Sequence, residues 1–217
     1  MLQFVVKRIL KCAVTVAAAA VLVFTILYFA EDDPASCLLA KPVIYLYPQE
    51  EAQVSVTVEG VDLGTTYPAY DGGWTVLARP DGTLTDLSDG REYSYLFWEG
   101  SSDLEFDFSQ GACVRGEDTA AFLQDALAQM GLTSREYNEF IVYWLPLMQG
   151  SEYNLISFQG ETYTGAARLG ISPEPDSLLR VFMAWKPLDG PVDIEPQVFT
   201  PFERQGFTVV EWGGSQV

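Results

Sequence analysis

Hydrophobic and polar positions divide the chain into regimes of different period. Cys12 to Ala30 holds nineteen residues without a charge, and as a helix at about 1.5 Å per residue it reaches roughly 28 Å, the hydrocarbon thickness of a bilayer. Lys41–Pro48 is an apolar run bounded by prolines and rich in β-branched and aromatic residues, which predicts a strand buried on both faces. Gln53–Glu59 instead alternates, with Val54, Val56 and Val58 on one face and Ser55, Thr57 and Glu59 on the other. That is the pattern of a half-buried strand.

A meander of strands follows. Trp74–Arg79 and Thr83–Leu87 flank the turn Pro80-Asp81-Gly82, Glu92–Glu99 forms a further strand, and Leu104, Phe106 and Phe108 alternate with Asp103, Glu105 and Asp107. The period then becomes helical. Asp118 is placed to cap a helix over Thr119–Met130, which ends at Gly131, and Thr133 to Glu136 reads as a capping box opening a second helix that lasts until about Ile141. Val142–Pro146 reads as a strand, because Pro146 opposes helical continuation. Strands resume at Tyr153–Gln159, Ala166–Ile171, Leu178–Lys186 and Gly206–Trp212, with Pro187–Pro201 as ordered coil. The expected fold is α+β: a β-rich, sandwich-like core with two short helices inserted in its middle, preceded by one transmembrane helix.

Charge sets the orientation of that first segment. Lys7, Arg8 and Lys11 precede the apolar run and Glu31, Asp32 and Asp33 follow it, so residues 1–11 are expected in the cytoplasm and residues 31–217 outside. The domain plan is a tail over 1–11, a membrane anchor over 12–30, a stalk over 31–40 and one extracytoplasmic domain over 41–217. A cleaved signal is the competing reading, in which the domain is secreted. It fits less well, because the run is long and Tyr28 stands where a cleavage site wants a small residue. Lipid attachment at Cys37 lacks the apolar residue expected three positions earlier.

Three of the twelve lysines and arginines and none of the thirty acids precede residue 31, so the remainder carries a formal charge of −21. That sign repels phosphate backbones and anionic lipid surfaces alike, so nucleic acid is excluded as a partner. The chain has no histidine, which removes Ser-His-Asp and Cys-His catalysis and the usual zinc ligand sets. No cofactor is expected. Cys37 and Cys113 both fall in the exported part, and an exported pair reads most economically as one disulfide.

The motifs KPVIYLYP (41–48), YSYLFWEG (93–100), GEDTAAFL (116–123), EYNEFIVYWLP (136–146), YNLISFQ (153–159), RVFMAWKPLD (180–189) and FTVVEWGG (207–214) together resemble a family of uncharacterised bacterial proteins, mostly from Gram-positive anaerobes. The resemblance spans about residues 37–214 and implies an exported or membrane-linked protein. It implies no activity and no catalytic residue.

Any catalysis here would rest on carboxylates, as in glycoside hydrolysis by a pair of acids. Glu99, Glu139 and Glu211 lie beside aromatic residues and are the candidates. Trp98, Tyr143 and Trp144 are the candidate binding platform, although strand aromatics are more simply core. Asp103, Glu105 and Asp107 share one face and are candidate Ca²⁺ ligands, with a solvated face as the simpler reading. The leading expectation is a membrane-anchored, non-catalytic binding module whose partner is a cell-surface glycan or protein. The alternatives are a carboxylate-dependent glycan-active enzyme and a subunit of a membrane complex packed through Ala17–Ala20.

The topology is directly testable. Protease added to intact protoplasts should digest residues 31–217 and spare the extreme N-terminus. Full protection of the domain would reverse the orientation, and a mature chain beginning near Glu31 would replace the anchor with a cleaved signal.

Overall fold

The computed structural model describes residues 37–217. The expected anchor over 12–30 and most of the stalk lie outside them, and among the described residues no helix is long and apolar enough to cross a membrane. The first half is all strand: β1 (Cys37–Tyr47), β2 (Ala52–Glu59), β3 (Asp62–Tyr67), β4 (Trp74–Ala78), β5 (Leu84–Asp86), β6 (Glu92–Tyr93), β7 (Leu96–Ser102) and β8 (Gln110–Arg115). A 3₁₀ turn leads into α1 (Thr119–Met130) and α2 (Ser134–Met148). Then come β9 (Tyr153–Gln159), α3 (Glu161–Ala166), β10 (Arg168–Ser172), β11 (Ser177–Leu188), β12 (Glu195–Pro196) and β13 (Thr208–Gln216).

The strands form an eight-stranded sheet, β12-β8-β9-β11-β13-β1-β7-β3, and a five-stranded sheet, β10-β2-β4-β5-β6. The large sheet is antiparallel except where β11 meets β13 and β12 meets β8. Its two faces feed separate cores. Val43, Tyr45, Val181, Met183, Val210 and Trp212 pack with Leu123, Phe140 and Trp144 of the helices. Their neighbours Ile44, Leu46, Phe182 and Val209 pack with Val54, Val56, Trp74 and Val76 of the small sheet. The protein is therefore β-rich, with a sheet-on-sheet sandwich and two helices laid over the outer face of the larger sheet.

Much of the local pattern is realised as expected. Val54, Val56 and Val58 are buried. Helix α1 runs over the expected residues and stops at Gly131, whose φ of 104° a side-chain-bearing residue would resist. Glu136 accepts the Thr133 N–H at 2.7 Å, the returning bond of the capping box. Asp118, by contrast, makes no side-chain cap bond, because the 3₁₀ turn takes the place of an abrupt start.

Four expectations are corrected. Val142–Pro146 is helix, and α2 continues to Met148 with Pro146 inside it. Phe140, Trp144 and Met148 recur every fourth residue and are all buried, so the apolar stripe outweighs one missing N–H. That N–H would have bonded the carbonyl of Val142, which lies on the solvent side and is 74% exposed. Residues 103–108 have the expected alternation of exposure but no strand partner, and form no regular element. The run expected as a single strand over Glu92–Glu99 is divided, β6 pairing in the small sheet and β7 in the large one. Helix α3 replaces the start of the strand expected from Ala166.

The cysteines are a fifth correction, and the one of most consequence to chemistry. Cys37 and Cys113 are both free. Cys37 begins β1 and its thiol donates to the Ser102 carbonyl at 3.2 Å, whereas Cys113 lies on β8 and accepts the Val192 N–H at 3.4 Å. Strands β9, β11 and β13 lie between β8 and β1, a separation on the order of 19 Å across the sheet. A disulfide needs Cα atoms within about 7 Å.

Protein isolated under oxidising conditions without reductant should accordingly carry one alkylating label at each of Cys37 and Cys113 after denaturation. A single fragment containing both residues in non-reducing peptide mapping would contradict the strand order.

Candidate functional site

The site is built around an irregularity in the central strand. On β1, Leu39 faces the small sheet and Ala40 the helices, whereas beyond it Val43 and Tyr45 face the helices and Ile44 faces the small sheet. Regular alternation would have put Val43 with Leu39, so one extra residue is accommodated between Ala40 and Val43, where the pairing to both neighbours shifts register. Lys41 takes the left-handed conformation there, with φ of 59°, the one non-glycine to do so among the described residues. Gly213 and Gly214 of β13 make the room: a Cβ on Gly213 would lie 3.0 Å from Pro42, and one on Gly214 would lie 2.7 Å from both Met183 O and the Trp144 ring.

Without the bulge, Lys41 would project into the sheet-on-sheet core. With it, the Lys41 ammonium comes to rest 5.4, 4.9 and 5.7 Å from the ring centroids of Tyr95, Phe97 and Tyr143. These distances are within cation–π range. Burial pushes the Lys41 pKa down, opposed by the charges of Glu99 and Glu139. Phe97 and Glu99 are alternate residues of β7, Tyr95 stands two positions before Phe97 just ahead of the strand, and Glu139 and Tyr143 are one turn apart on α2.

Both carboxylates are held. Glu99 Oε1 accepts the Lys41 backbone N–H at 3.1 Å. Glu139 Oε2 accepts the Tyr45 O–H at 2.7 Å, and its Oε1 lies 4.0 Å from Arg135. Tyr45 is buried beneath the cluster, edge-on to Tyr95 with centroids 5.4 Å apart and stacked on Tyr47 at 6.1 Å. Among the described residues Lys41 itself joins no ion pair. The result is a half-buried cluster of one amine, two fixed carboxylates and three ring faces.

The structure thus brings Glu99, Glu139 and Tyr143 together and leaves the other candidates elsewhere. Trp98 and Trp144 are 0% and 1% exposed and serve as core, so they present no binding platform. Glu211 is equally buried. It lies opposite Arg180 in the β13–β11 register, accepts Arg180 Nε at 2.6 Å and accepts Trp98 Nε1 at 3.2 Å. Arg180 also donates to the Ala167 carbonyl at 2.7 Å and lies over the Tyr163 ring. This is an enclosed ion pair between the sheets, unable to meet a substrate. Among the described residues no cluster of three or more metal-ligating side chains occurs, and Asp107 instead accepts the Ser109 N–H at 2.7 Å.

A second concavity lies where β9 ends. Two adjoining clefts of about 350 and 190 Å³ share Gln110, Phe158, Gln159, Gly160 and Gln197. Their amides are already committed. Gln159 binds both the N–H and the carbonyl of Asp107 at 2.8 and 2.9 Å, and Gln197 binds both backbone groups of Phe158 at 2.8 Å. They stand in for missing strand pairing beside β9.

Over 65 residues the chain is 51% identical to a protein of Butyrivibrio fibrisolvens described as an uncharacterised protein in the bglA 3′ region. The match covers 28% of this chain and 65% of that relative's length. The chain matches no protein-family profile, and no solved structure matches it.

Two buried tyrosines give the fold an alkaline limit. Burial raises the Tyr45 pKa, reinforced by its bond to Glu139, and burial raises that of Tyr163, reinforced by Glu211. Both hydroxyls stay protonated when folded, whereas unfolded tyrosine ionises near 10. The stability they supply is fully present below pH 10 and is lost above it, by about 1.4 kcal/mol per pH unit for each. Lys41, with its lowered pKa, acts in the opposite sense and at lower pH: its contribution rises between its depressed folded value and the ordinary lysine value of about 10.4, and is constant above that. Urea unfolding should therefore give a stability that falls beyond about pH 10, and Tyr45→Phe and Tyr163→Phe should each flatten the fall by one tyrosine's share. An unchanged slope in both variants would show that neither hydroxyl titrates on unfolding.

Proposed function

We propose that this chain is a single-pass membrane protein, anchored through residues 12–30, whose exported domain is a non-catalytic binding module for a cell-surface glycan. One observation carries the reading. The half-buried, chemically diverse group in the fold is the cluster at Lys41, where ring faces of Tyr95, Phe97 and Tyr143 stand beside two hydrogen-bonded carboxylates. Ring faces and fixed carboxylates together are what recognise a polyol, the rings covering its C–H faces and the carboxylates accepting its hydroxyls. The export charge of −21 favours a neutral or cationic glycan over an anionic one.

A carboxylate-dependent glycan-active enzyme is the second reading, and the convergence of Glu99 and Glu139 on one amine favours it. Against it stands the commitment of each carboxylate to a structural hydrogen bond, Glu99 to the bulge and Glu139 to Tyr45.

The test uses the full-length chain in nanodiscs of anionic lipid, incubated with insoluble cell-wall and capsular glycans. Retention without release of reducing ends is expected, and Tyr143→Ala should weaken it by about 1 kcal/mol or more. Release of reducing ends that falls at least ~10²-fold in Glu99→Gln or Glu139→Gln would establish the enzyme instead. Neither retention nor release would remove the glycan as ligand.

A further inference from the structure

The cluster at Lys41 has the composition of an ammonium-binding cage. Three aromatic faces surround one point at 4.9–5.7 Å, and two carboxylates lie close enough for their charge to act on the amine there. Ring faces attract a cation through their quadrupole, and this attraction grows as the site is desolvated. What fills the cage is the chain's own lysine, delivered by a left-handed residue on a β-bulge. An L-residue with a branched or long side chain rarely adopts that conformation, and strained positions of this kind collect where a backbone holds a group for use.

The position is also electrostatically unbalanced. Glu99 and Glu139 outnumber Lys41, and neither approaches its ammonium closely enough to form an ion pair among the described residues. Arg135 approaches Glu139 only at 4.0 Å and is 55% exposed at its side chain, so it neutralises that carboxylate weakly. Removing the Lys41 side chain would leave an aromatic pocket bearing net negative charge. The Glu99 bond would persist, because it is made to the backbone N–H of residue 41 and not to the amine.

We propose that Lys41 is a built-in occupant of a cation cage formed by Tyr95, Phe97 and Tyr143 with Glu99 and Glu139, and that the cage takes the ammonium group of an amine-bearing glycan in its place. The inference rests on the binding-module reading and specifies its ligand as one carrying a free amino group. Lys41 then sets the threshold: an external ammonium must displace it, so an amine is admitted only when the rest of the ligand adds affinity. The exchange involves no bond making and leaves the site charge unchanged, since one ammonium replaces another.

The experiment titrates full-length protein in nanodiscs of phosphatidylglycerol, which carry no choline or amine headgroup, with tetramethylammonium chloride and with glucosamine hydrochloride. Sodium chloride at equal ionic strength is the control, and saturation-transfer NMR on the ligand protons reports binding. Lys41→Gly suits the left-handed backbone and empties the cage, and it should bind tetramethylammonium at least tenfold more tightly than the unaltered protein. Lys41→Met refills the space without charge and should not show that gain. Adding Phe97→Leu or Tyr143→Leu to Lys41→Gly should abolish it. Lys41→Asn, which also tolerates the left-handed region, serves as a second cage-emptying variant where circular dichroism shows the glycine variant to be unfolded.

Equal affinity in the unaltered protein and in the emptied variant overturns the proposal, as does a gain indifferent to the ring substitutions. Glycan retention by the unaltered protein with no cation response in any variant overturns this inference alone. Cation binding by Lys41→Gly without retention of any amine-bearing or acetylated glycan removes the glycan reading while leaving the cage in place.

Discussion

Coverage of the large sheet on both faces is the constraint from which most of this structure follows. When one face is covered, a strand needs apolar residues at alternate positions only. Strands β1, β11 and β13 are covered twice, so every residue of Val43–Leu46 and of Val181–Trp185 is buried, and each strand contributes to two cores at once. Parity along β1 then decides which core receives which side chain, and the bulge at Lys41 is the point where parity is reset. A charged side chain at that position on a regular strand would enter the core between the sheets unpaired, at a cost of several kcal/mol. Turning the lysine to the helix side removes that cost and places the amine among aromatic rings at the same time.

The polar groups that do enter the cores act as cross-links. Glu211 and Arg180 join neighbouring strands inside the sandwich, with Trp98 of β7 completing the carboxylate's shell. Glu136 does the same on the other face, where it accepts the Thr133 N–H and the Arg204 guanidinium, which also reaches the Gly131 carbonyl. Arg204 thereby fastens the Pro-rich segment before β13 across the turn between α1 and α2. Buried pairs of this kind contribute less to net stability than their Coulomb energy suggests, but losing one partner strands the other charge in a dry site.

Local periodicity told most of the first-order architecture and little of the site. Val54, Val56 and Val58 alternate under any pairing, and α1 has its stop at Gly131 written beside it. Phe140, Trp144 and Met148 were equally plain at a stride of four, but the β-branched and aromatic run Val142–Trp144 and the proline after it carry an opposing local preference, which tertiary burial overrode. The division of Glu92–Glu99 between two sheets cannot be read from its own residues, because the change of sheet depends on partners far along the chain. Distance between Cys37 and Cys113 depends on strand order, which no spacing encodes. Lys41 did leave a trace: Pro42 sits inside an otherwise apolar strand, and in a central strand proline is tolerated chiefly at a bulge. Glu99 and Glu139 were identified by their aromatic neighbours in sequence, yet the neighbours that matter for Glu99 are Tyr95 and Phe97, four and two residues back on its own face, and not the adjacent Trp98.

The disposition of the basic residues connects composition to the site. Residues 37–217 contain nine lysines and arginines among many more acids. Six of the arginines, at 79, 115, 135, 168, 180 and 204, lie within 4.0 Å of a carboxylate. Both lysines instead lie over aromatic rings, Lys41 over three and Lys186 over Phe108 at 4.8 Å. The division follows from chemistry: guanidinium forms planar, directional pairs with carboxylates, whereas ammonium is a compact charge that a ring face accommodates without a fixed geometry. Lys186 has one ring. Lys41 has three rings and a backbone bent to deliver it, in a domain where free carboxylates are abundant. An amine needing only charge compensation would have found it anywhere on this surface, so the cage at Lys41 is organised by its aromatic faces, with the two glutamates setting its sign.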